Sequence, residues 1–216
     1  MSIEIIGGRA FYVRDNTDEF YALKEIFVKG DYQLPDGFEM ESGTVVDIGA
    51  NVGGFSVLAS RWPGVKRVIA FEPNGDVYSR FLLNTAGIPQ IIGANLALSN
   101  YEGSGIMWIP GGRTGSAGLH RSPKNAEPVR VRIRKAYDAL AFLGEIDVLK
   151  IDTEGSEPEI LESIAPLLPC IRLIFLEWHS LKDLAICEDA LSGYDLTITP
   201  RRESIGIMRA IRRSES

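Results

Sequence analysis

The segment that decides the fold is Val45-Val46-Asp47-Ile48-Gly49-Ala50-Asn51-Val52-Gly53-Gly54, in which an apolar run meets a glycine-rich turn. An apolar run of this length is typical of a buried strand, and glycine lets the backbone turn sharply and approach a ligand closely. Residues 55–61 then have a helical pattern. Strand, tight turn and helix in this order predict the first unit of a parallel sheet, with a ligand site at the turn.

The same pattern repeats along the chain. We predict further buried strands at residues 68–71, 91–94, 146–151 and 173–176, helices at 76–84 and 157–164, and a final strand pair at 194–199 and 205–210. Apolar strands that alternate with helices indicate a sheet covered on both faces. The predicted fold is therefore α/β and Rossmann-like, with helices on both faces and a C-terminal antiparallel strand pair.

Two regions differ from this pattern. Residues 1–43 read as a lead-in, with strands at 3–6 and 10–14 around Gly7-Gly8 and a helix at 18–28 that Gly30 ends. We place the main domain at residues 44–216. Within it, residues 103–135 form an insert, in which strands at 106–109 and 129–133 flank a loop at 110–128. Loops of this length are usually functional or disordered.

Composition narrows the class of protein. The 216 residues are 45% hydrophobic, and the net charge is −6 at an isoelectric point of about 5.1. This balance disfavours a protein that binds nucleic acid by neutralising phosphates, and no apolar run is long enough to span a membrane. The two cysteines, Cys170 and Cys187, fit neither a disulfide framework nor a zinc site. We expect a cytoplasmic globular protein, and the sequence does not indicate its oligomeric state.

The turn after the first strand also predicts the cofactor. It is not a dinucleotide-binding turn, because Asn51 stands where that motif has its second glycine. Asp47, at the strand end, suits a cationic amino group better than a pyrophosphate. Glu72 ends the next strand, at the position where a carboxylate accepts hydrogen bonds from ribose hydroxyls. Together these residues predict S-adenosylmethionine. The simpler alternative is that Asp47 caps the helix and the glycines only form the turn, without a ligand.

Several blocks of the chain resemble the FkbM-type methyltransferases. Besides residues 46–53, the resemblance rests on Phe71-Glu72-Pro73-Asn74, Ala97-Leu98-Ser99, residues 147–157 and Phe175-Leu176-Glu177-Trp178-His179. The segment Leu149-Lys150-Ile151-Asp152-Thr153-Glu154-Gly155 is the most specific of them. The resemblance implies a class I methyltransferase fold and O-methylation of a hydroxyl on a sugar, glycan or natural product.

The resemblance also assigns binding positions. It implies that the methionine end of the cofactor lies near Asp47, Gly49, Ala50, Asn51, Gly53 and Asp152. It places the ribose at Glu72 beside Pro73, and the adenine beside Asn95, Ala97 and Leu98.

The chemistry requires a base, because an alcohol is a weak nucleophile until its proton is removed. Asp152, Glu154 and His179 follow the ends of two predicted strands and are the candidate catalytic residues. Which of the three acts as the base stays open, as does a structural role for each: an ion pair with Lys150, a helix first turn, or a packed imidazole. Asp152 and Glu154 are also hard ligands for magnesium or calcium. One pair of carboxylates is weak evidence, so we predict no metal site.

The acceptor is less well defined. Arg130, Arg132 and Arg134 alternate with apolar residues, which predicts a half-buried strand with a basic face. That face, with Arg113, would hold an anionic acceptor, but a solvated edge strand is the simpler interpretation. His120 in the loop is a minor candidate base. Two other functions remain: a non-catalytic S-adenosylmethionine-binding sensor or partner subunit, and a nicotinamide-dependent reductase, which Asn51 disfavours.

Overall fold

A computed structural model of the chain describes residues 1–15, 18–111, 117–119 and 124–213. Its strands are β1 (Ser2–Ile6), β2 (Arg9–Val13), β3 (Thr44–Ile48), β4 (Arg67–Phe71), β5 (Ile91–Ala94), β6 (Ala97–Ser99), β7 (Gly103–Pro110), β8 (Ala126–Lys135), β9 (Ile146–Ile151), β10 (Ile171–Trp178), β11 (Tyr194–Arg202) and β12 (Ile205–Arg212). Its α-helices are α1 (Glu19–Lys24), α2 (Gly54–Ala59), α3 (Gly75–Thr85), α4 (Ala136–Leu140), α5 (Glu157–Ile164) and α6 (Leu181–Ala190).

The central sheet has seven strands in the order β11-β12-β10-β9-β3-β4-β5. Strand β12 runs antiparallel to both of its neighbours, whereas the other strands are parallel to one another. The predicted α/β fold with a C-terminal antiparallel pair is confirmed. Because the carboxyl ends of β3, β4, β9 and β10 lie at one edge, the polar residues that follow these strands converge there.

Both faces of the sheet are covered, which explains why its central strands are mostly apolar. Every residue of β3 is buried. Val45 belongs to an apolar cluster with Phe55 of α2, and its neighbour Val46 belongs to another cluster with Ile160 of α5. Successive strand residues point to opposite faces, so each of the two helices covers one side. Complete burial of one such side chain contributes about 1.5–3 kcal/mol.

The lead-in packs onto the main sheet domain. Its hairpin turns at Gly7-Gly8, and Phe11 and Val13 of β2 share an apolar cluster with Leu23 and Val52. The helix predicted at 18–28 is α1 followed by a π-helical turn at Glu25–Lys29, and the left-handed Gly30 ends it. The boundary at residue 43 stays a prediction.

A buried carboxylate fastens the lead-in to the amino end of β9. Asp147 is fully buried and accepts hydrogen bonds from the backbone N–H groups of Glu41 (2.8 Å) and Gly43 (2.7 Å). The Ser42 hydroxyl (2.8 Å) and the Arg172 guanidinium (3.0 Å) also donate to it. The carboxylate therefore organises the segment that leads into β3.

The insert forms a second sheet of three strands, in the order β6-β8-β7. Strands β7 and β8 pair antiparallel as predicted, with Ile106 opposite Arg130. The expectation that the basic strand is an edge strand is wrong only at its end, because β6 pairs with the other side of β8 at Ile133, Arg134 and Lys135. Among the described residues, the part of β8 before Ile133 pairs with β7 alone. Arg130, Arg132 and Arg134 are nevertheless exposed, as a solvated face requires.

Two helices were not predicted from the sequence. Helix α4 is short, and α6 fully buries only Cys187, so neither has a clear apolar stripe. Among the residues that the structure describes, no helix is long and apolar enough to cross a membrane.

Candidate active site

A pocket opens at the carboxyl ends of β3, β4 and β9, where the sequence predicts the ligand site. It has an apolar part and an acidic part, and it is lined by Ile48, Gly49, Asn51, Phe71, Glu72, Pro73, Leu96, Ala97, Leu98, Met107, Ala117, Gly118, Leu119, Asp152, Thr153, Glu154 and Ser156. Of the predicted binding residues, it contains Gly49, Asn51, Glu72, Pro73, Ala97, Leu98 and Asp152.

The turn after β3 brings two strand ends into contact. Gly49 has a φ of +80°, and a Cβ atom there would lie 1.8 Å from the carbonyl oxygen of Asp152, so only glycine fits. The N–H groups of Gly49 and Ala50 donate to the carbonyl of Phe71. This close approach places the backbone of the turn directly against the pocket. Gly53 lines neither this pocket nor the adjoining one described below; it precedes α2 with a φ of 91°.

Glu72 is held in place by the backbone. Its two carboxylate oxygens accept hydrogen bonds from the N–H groups of Asn51 (2.9 Å) and Asn74 (2.8 Å). Burial raises the pKa of Glu72 to about 7 in spite of these bonds. Each oxygen retains a further lone pair for a ligand hydroxyl. The predicted adenine neighbour Asn95 instead donates to the carbonyls of Glu72 and Pro73 and lines a neighbouring groove with Arg130.

A second, smaller pocket adjoins the first. Both are lined by Gly49, Asn51 and Asp152, so they meet at the turn. The second pocket also contains Ala50 and Lys150. An elongated ligand can therefore lie across the turn, with its polar end beside Asp152.

Asp47 lies beneath the turn and lines neither pocket. Its side chain is fully buried; one oxygen accepts a hydrogen bond from the Ser56 hydroxyl (2.6 Å), and the other lies 3.3 Å from the Lys150 ammonium. Lys150 also donates to the carbonyl of Gly49 (2.7 Å) and lies 3.3 Å from Asp152. The predicted ion pair of Lys150 with a nearby acid is confirmed. The predicted contact of Asp47 with the methionine end does not follow from this geometry, because its carboxylate is enclosed by protein.

The structure brings the three predicted catalytic residues together. The Nε2 atom of His179 lies 3.4 Å from Glu154 Oε2 and 4.0 Å from Asp152 Oδ1, while Nδ1 lies 3.4 Å from Glu157 Oε1. Asp152 and Glu154 line the pocket, whereas the His179 ring is 3% exposed and lies behind them. The arrangement is an acidic pocket wall supported by a buried imidazole.

The charges of this cluster shift one another's pKa values. Burial alone would lower the pKa of His179, but the carboxylates of Glu154 and Glu157 outweigh it and raise that pKa to about 11. Burial raises the pKa of Glu154 above its usual value of 4.5. For Glu157, the imidazole and the backbone N–H groups overcome the effect of burial and lower the pKa.

Glu157 is a part of the site that the sequence did not single out. It is fully buried, and its Oε1 atom accepts hydrogen bonds from the backbone N–H groups of Thr153 (2.8 Å) and Gly155 (3.2 Å). It therefore fixes the loop that carries Glu154, which has a φ of +58°. Its position in the motif, shortly after Glu154, is the signal that would have found it.

The insert, which the sequence offers as a source of acceptor contacts, lines part of the pocket with residues that the sequence did not single out. Met107 and Leu119 line it, and the Trp108 N–H donates to the Gly118 carbonyl (2.9 Å). A Cβ atom on Gly118 would lie 2.6 Å from the carbonyl oxygen of Glu154, so the insert touches the loop that carries Glu154. These contacts depend on long-range pairing, which leaves no local signal. Arg113 and His120 lie outside the described residues.

Comparisons with known proteins agree with this geometry. The family model described as "Methyltransferase FkbM domain" matches residues 47–203. The hexuronic acid methyltransferase AglP of Haloferax volcanii is 26% identical over 185 residues, covering 83% of this chain and 74% of that protein. The methyltransferase sdnD of Sordaria araneosa is 25% identical over 189 residues, covering 72% of each protein.

A solved structure supports the fold. The precorrin-6y C5,15-methyltransferase of Geobacter metallireducens superposes with a TM-score of 0.52, covers 94% of both chains and is 14% identical. At that identity, the likeness concerns the Rossmann-like architecture alone.

Proposed function

Because the chain belongs to the FkbM methyltransferase family, we propose that it transfers the methyl group of S-adenosylmethionine to a hydroxyl of a sugar, glycan or natural product. The proposal rests on one observation. Glu72, beside the apolar residues, and the acid pair Asp152 and Glu154 line one and the same pocket. A cofactor and a base can therefore serve one reaction. The related hexuronic acid methyltransferase supports a sugar acceptor, including an anionic one.

The pocket fits the parts of S-adenosylmethionine. Ile48, Phe71 and Leu98 offer apolar surface to the adenine, and Glu72 accepts from the ribose hydroxyls. Asp152 offers its carboxylate to the ammonium group of the methionine end, beside the backbone of the turn. The cofactor has no phosphate, and the absence of a phosphate-binding motif in the sequence agrees with this.

The residues of the chain position the reactants and receive a proton. When bound, S-adenosylmethionine supplies an electrophilic methyl group on a sulfonium. Glu154 is the base, because it lines the pocket and burial raises its pKa toward the working pH. His179, behind the wall, positions the Glu154 carboxylate, and Glu157 positions His179. Contact between the acceptor oxygen and the methyl group contributes most of the remaining acceleration.

The reaction belongs in a reducing compartment. Cys170 and Cys187 are both free thiols, and Cys187 is buried. Free thiols are usual in cytoplasmic proteins, so we place the activity in the cytoplasm.

Calorimetric titration with S-adenosylmethionine tests the cofactor, with NADH as the control ligand. We expect binding of S-adenosylmethionine by the wild type, at least about tenfold weaker binding in Glu72→Ala, and unchanged binding in the exposed control Glu203→Ala. Transfer of a labelled methyl group is then measured on uronic acids, neutral sugars and hydroxylated natural products. Failure of the folded wild type to bind S-adenosylmethionine would refute the proposal. Binding without transfer to any of these acceptors would favour a non-catalytic sensor.

A further inference from the structure

We propose that Asp152, Glu154 and His179 form a binding site for one divalent metal cation in the wall of the pocket. The sequence offered only the two carboxylates, which are weak evidence. The structure adds the imidazole of His179, which directly follows strand β10, and places one donor atom of each residue within 4.8 Å of the others.

The separations of the donor atoms suit a cation. In an octahedral site with bonds of about 2.1–2.3 Å, neighbouring donors lie about 3.0–3.3 Å apart and opposite donors about 4.2–4.6 Å. His179 Nε2 lies 3.4 Å from Glu154 Oε2, which is close to the separation of neighbouring donors. It lies 4.0 Å from Asp152 Oδ1, so the partly exposed Asp152 side chain would move closer to become a neighbouring ligand. Glu177 Oε1, at 3.9 Å from the same nitrogen, is a further oxygen near the site.

The imidazole is held as a metal-ligating histidine usually is. Such a histidine presents one nitrogen to the metal and donates from the other to a carboxylate, which fixes its tautomer and orientation. Here Nδ1 faces the fully buried Glu157, and Nε2 faces Asp152 and Glu154. Backbone N–H groups fix Glu157 in turn, so the direction of Nε2 is determined by the fold.

The charge around the cluster calls for a cation. Lys150 and Arg201 supply positive charge to its rim, and Arg201 also pairs with Glu25 and Asp31. His179 adds a third positive charge while its imidazole is protonated, and a bound cation would take the place of that proton. Against them stand the carboxylates of Asp47, Asp152, Glu154, Glu157 and Glu177. Buried charge is costly unless it is paired or coordinates a metal. A divalent cation at Asp152 and Glu154 neutralises this excess of negative charge.

The cation also narrows the class of acceptor, and this step rests on the proposed function. Carboxylates and one imidazole leave coordination positions for substrate oxygens, so the site favours a chelating acceptor, such as a vicinal diol or a hydroxyl beside a carboxylate. Coordination acidifies the hydroxyl. The hydroxyl proton passes to Glu154 Oε1, the carboxylate oxygen outside the cluster. The O–CH₃ bond then forms as the S–CH₃ bond breaks, and the electron pair of the S–CH₃ bond stays on sulfur.

Mn²⁺ is the probe, because electron paramagnetic resonance distinguishes its free and bound forms. Chelator-treated wild-type protein is titrated with Mn²⁺, with and without S-adenosylhomocysteine. We expect one Mn²⁺ per chain, displaced by Mg²⁺, and a nitrogen coupling from the imidazole in the echo-modulation spectrum. The affinity should fall at least about tenfold in His179→Gln and in Glu157→Gln. It should be unchanged in the exposed carboxylate variant Asp195→Asn.

The alternative is a protonated His179 that forms ion pairs with the same carboxylates. It predicts that no Mn²⁺ binds at this site. Absence of stoichiometric Mn²⁺ under both conditions, or bound Mn²⁺ without nitrogen coupling, would overturn the proposal. The nitrogen coupling is measured on the wild type, so the test stands even where a variant does not fold. Calorimetry of S-adenosylmethionine on the metal-free protein separates the two proposals. Cofactor binding together with no binding of Mn²⁺ refutes the metal site and leaves the proposed function standing.

Discussion

Replacement of Lys150 by methionine is expected to destabilise the protein strongly, because it leaves Asp47 charged inside the protein. Asp47 is fully buried and lies 3.3 Å from the Lys150 ammonium. At that separation, the Coulomb attraction is about 5 kcal/mol for an effective dielectric constant of about 20. Loss of one partner of a buried pair typically costs about 3–5 kcal/mol. We expect Lys150→Met to lower the free energy of unfolding by this amount. That is a large fraction of the total, which is about 5–15 kcal/mol for most domains.

A double-mutant cycle with Asp47→Asn isolates the pair from the other contacts of Lys150. Asparagine at position 47 can still accept the Ser56 hydrogen bond, so its own cost should be smaller. The free energy of unfolding, measured in urea, should show a favourable coupling of about 1–3 kcal/mol between the two sites. The control is Lys29→Met, because the Lys29 side chain is 59% exposed and pairs with Glu25 within one helical segment. That change should cost less than about 0.5 kcal/mol.

A loss below about 1 kcal/mol in Lys150→Met would refute the reasoning. It would mean that Asp47 takes up a proton or gains water in the variant, and that its charge does not need the lysine.

Three further outcomes are expected. Glu72→Ala should weaken S-adenosylmethionine binding at least about tenfold in calorimetry, because charged hydrogen bonds to the ribose contribute about 1.5–3 kcal/mol. Glu154→Gln should lower kcat about 10²-fold or more with cofactor affinity retained. In the wild type, the rate should rise as the pH passes the pKa of Glu154, because the base must be ionised. That rise should come at a pH above 4.5, the usual pKa of a glutamate, because burial raises the pKa of Glu154. Arg80→Met should cost about 3–5 kcal/mol in urea unfolding, because Glu19 is fully buried against Arg80 at 2.6 Å.

Each of these outcomes has a contrary result. Unchanged cofactor affinity in Glu72→Ala would remove Glu72 from the ribose site. A Glu154→Gln enzyme with wild-type kcat would exclude Glu154 as the base, and a flat pH profile would do the same. Wild-type stability in Arg80→Met would show that Glu19 does not need its buried partner.

The sheet and the acidic wall of the pocket follow from local sequence. The runs at residues 45–48 and 146–151 are mostly apolar and are buried throughout, and in a parallel sheet their carboxyl ends must meet. The convergence of Asp152, Glu154 and His179 could be predicted because each residue follows a strand end. The helix–strand pattern left little choice of fold class.

The remaining features depend on contacts between distant residues. Asp47 looks like a ligand contact in the sequence, but whether its carboxylate faces a pocket or the interior depends on Lys150, about 100 residues away. Met107 reaches the pocket because β7 pairs with β8. The expectation of an edge strand was wrong at the carboxyl end of β8, because β6 pairs with its other side there. No local pattern contains these pairings.

The two ends of strand β9 have different roles, a buried charge at one end and the pocket at the other, and they therefore differ in how well they tolerate substitution. At its amino end, the buried Asp147 accepts hydrogen bonds from the side chains of Ser42 and Arg172, so a substitution of either residue removes a partner from a buried charge. At its carboxyl end, the pocket is completed by residues of the insert, such as Leu119, which can vary while the sheet stays intact. A designer seeking a new acceptor would therefore vary the insert and leave the opposite edge untouched. Natural variation in acceptor choice should follow the same division.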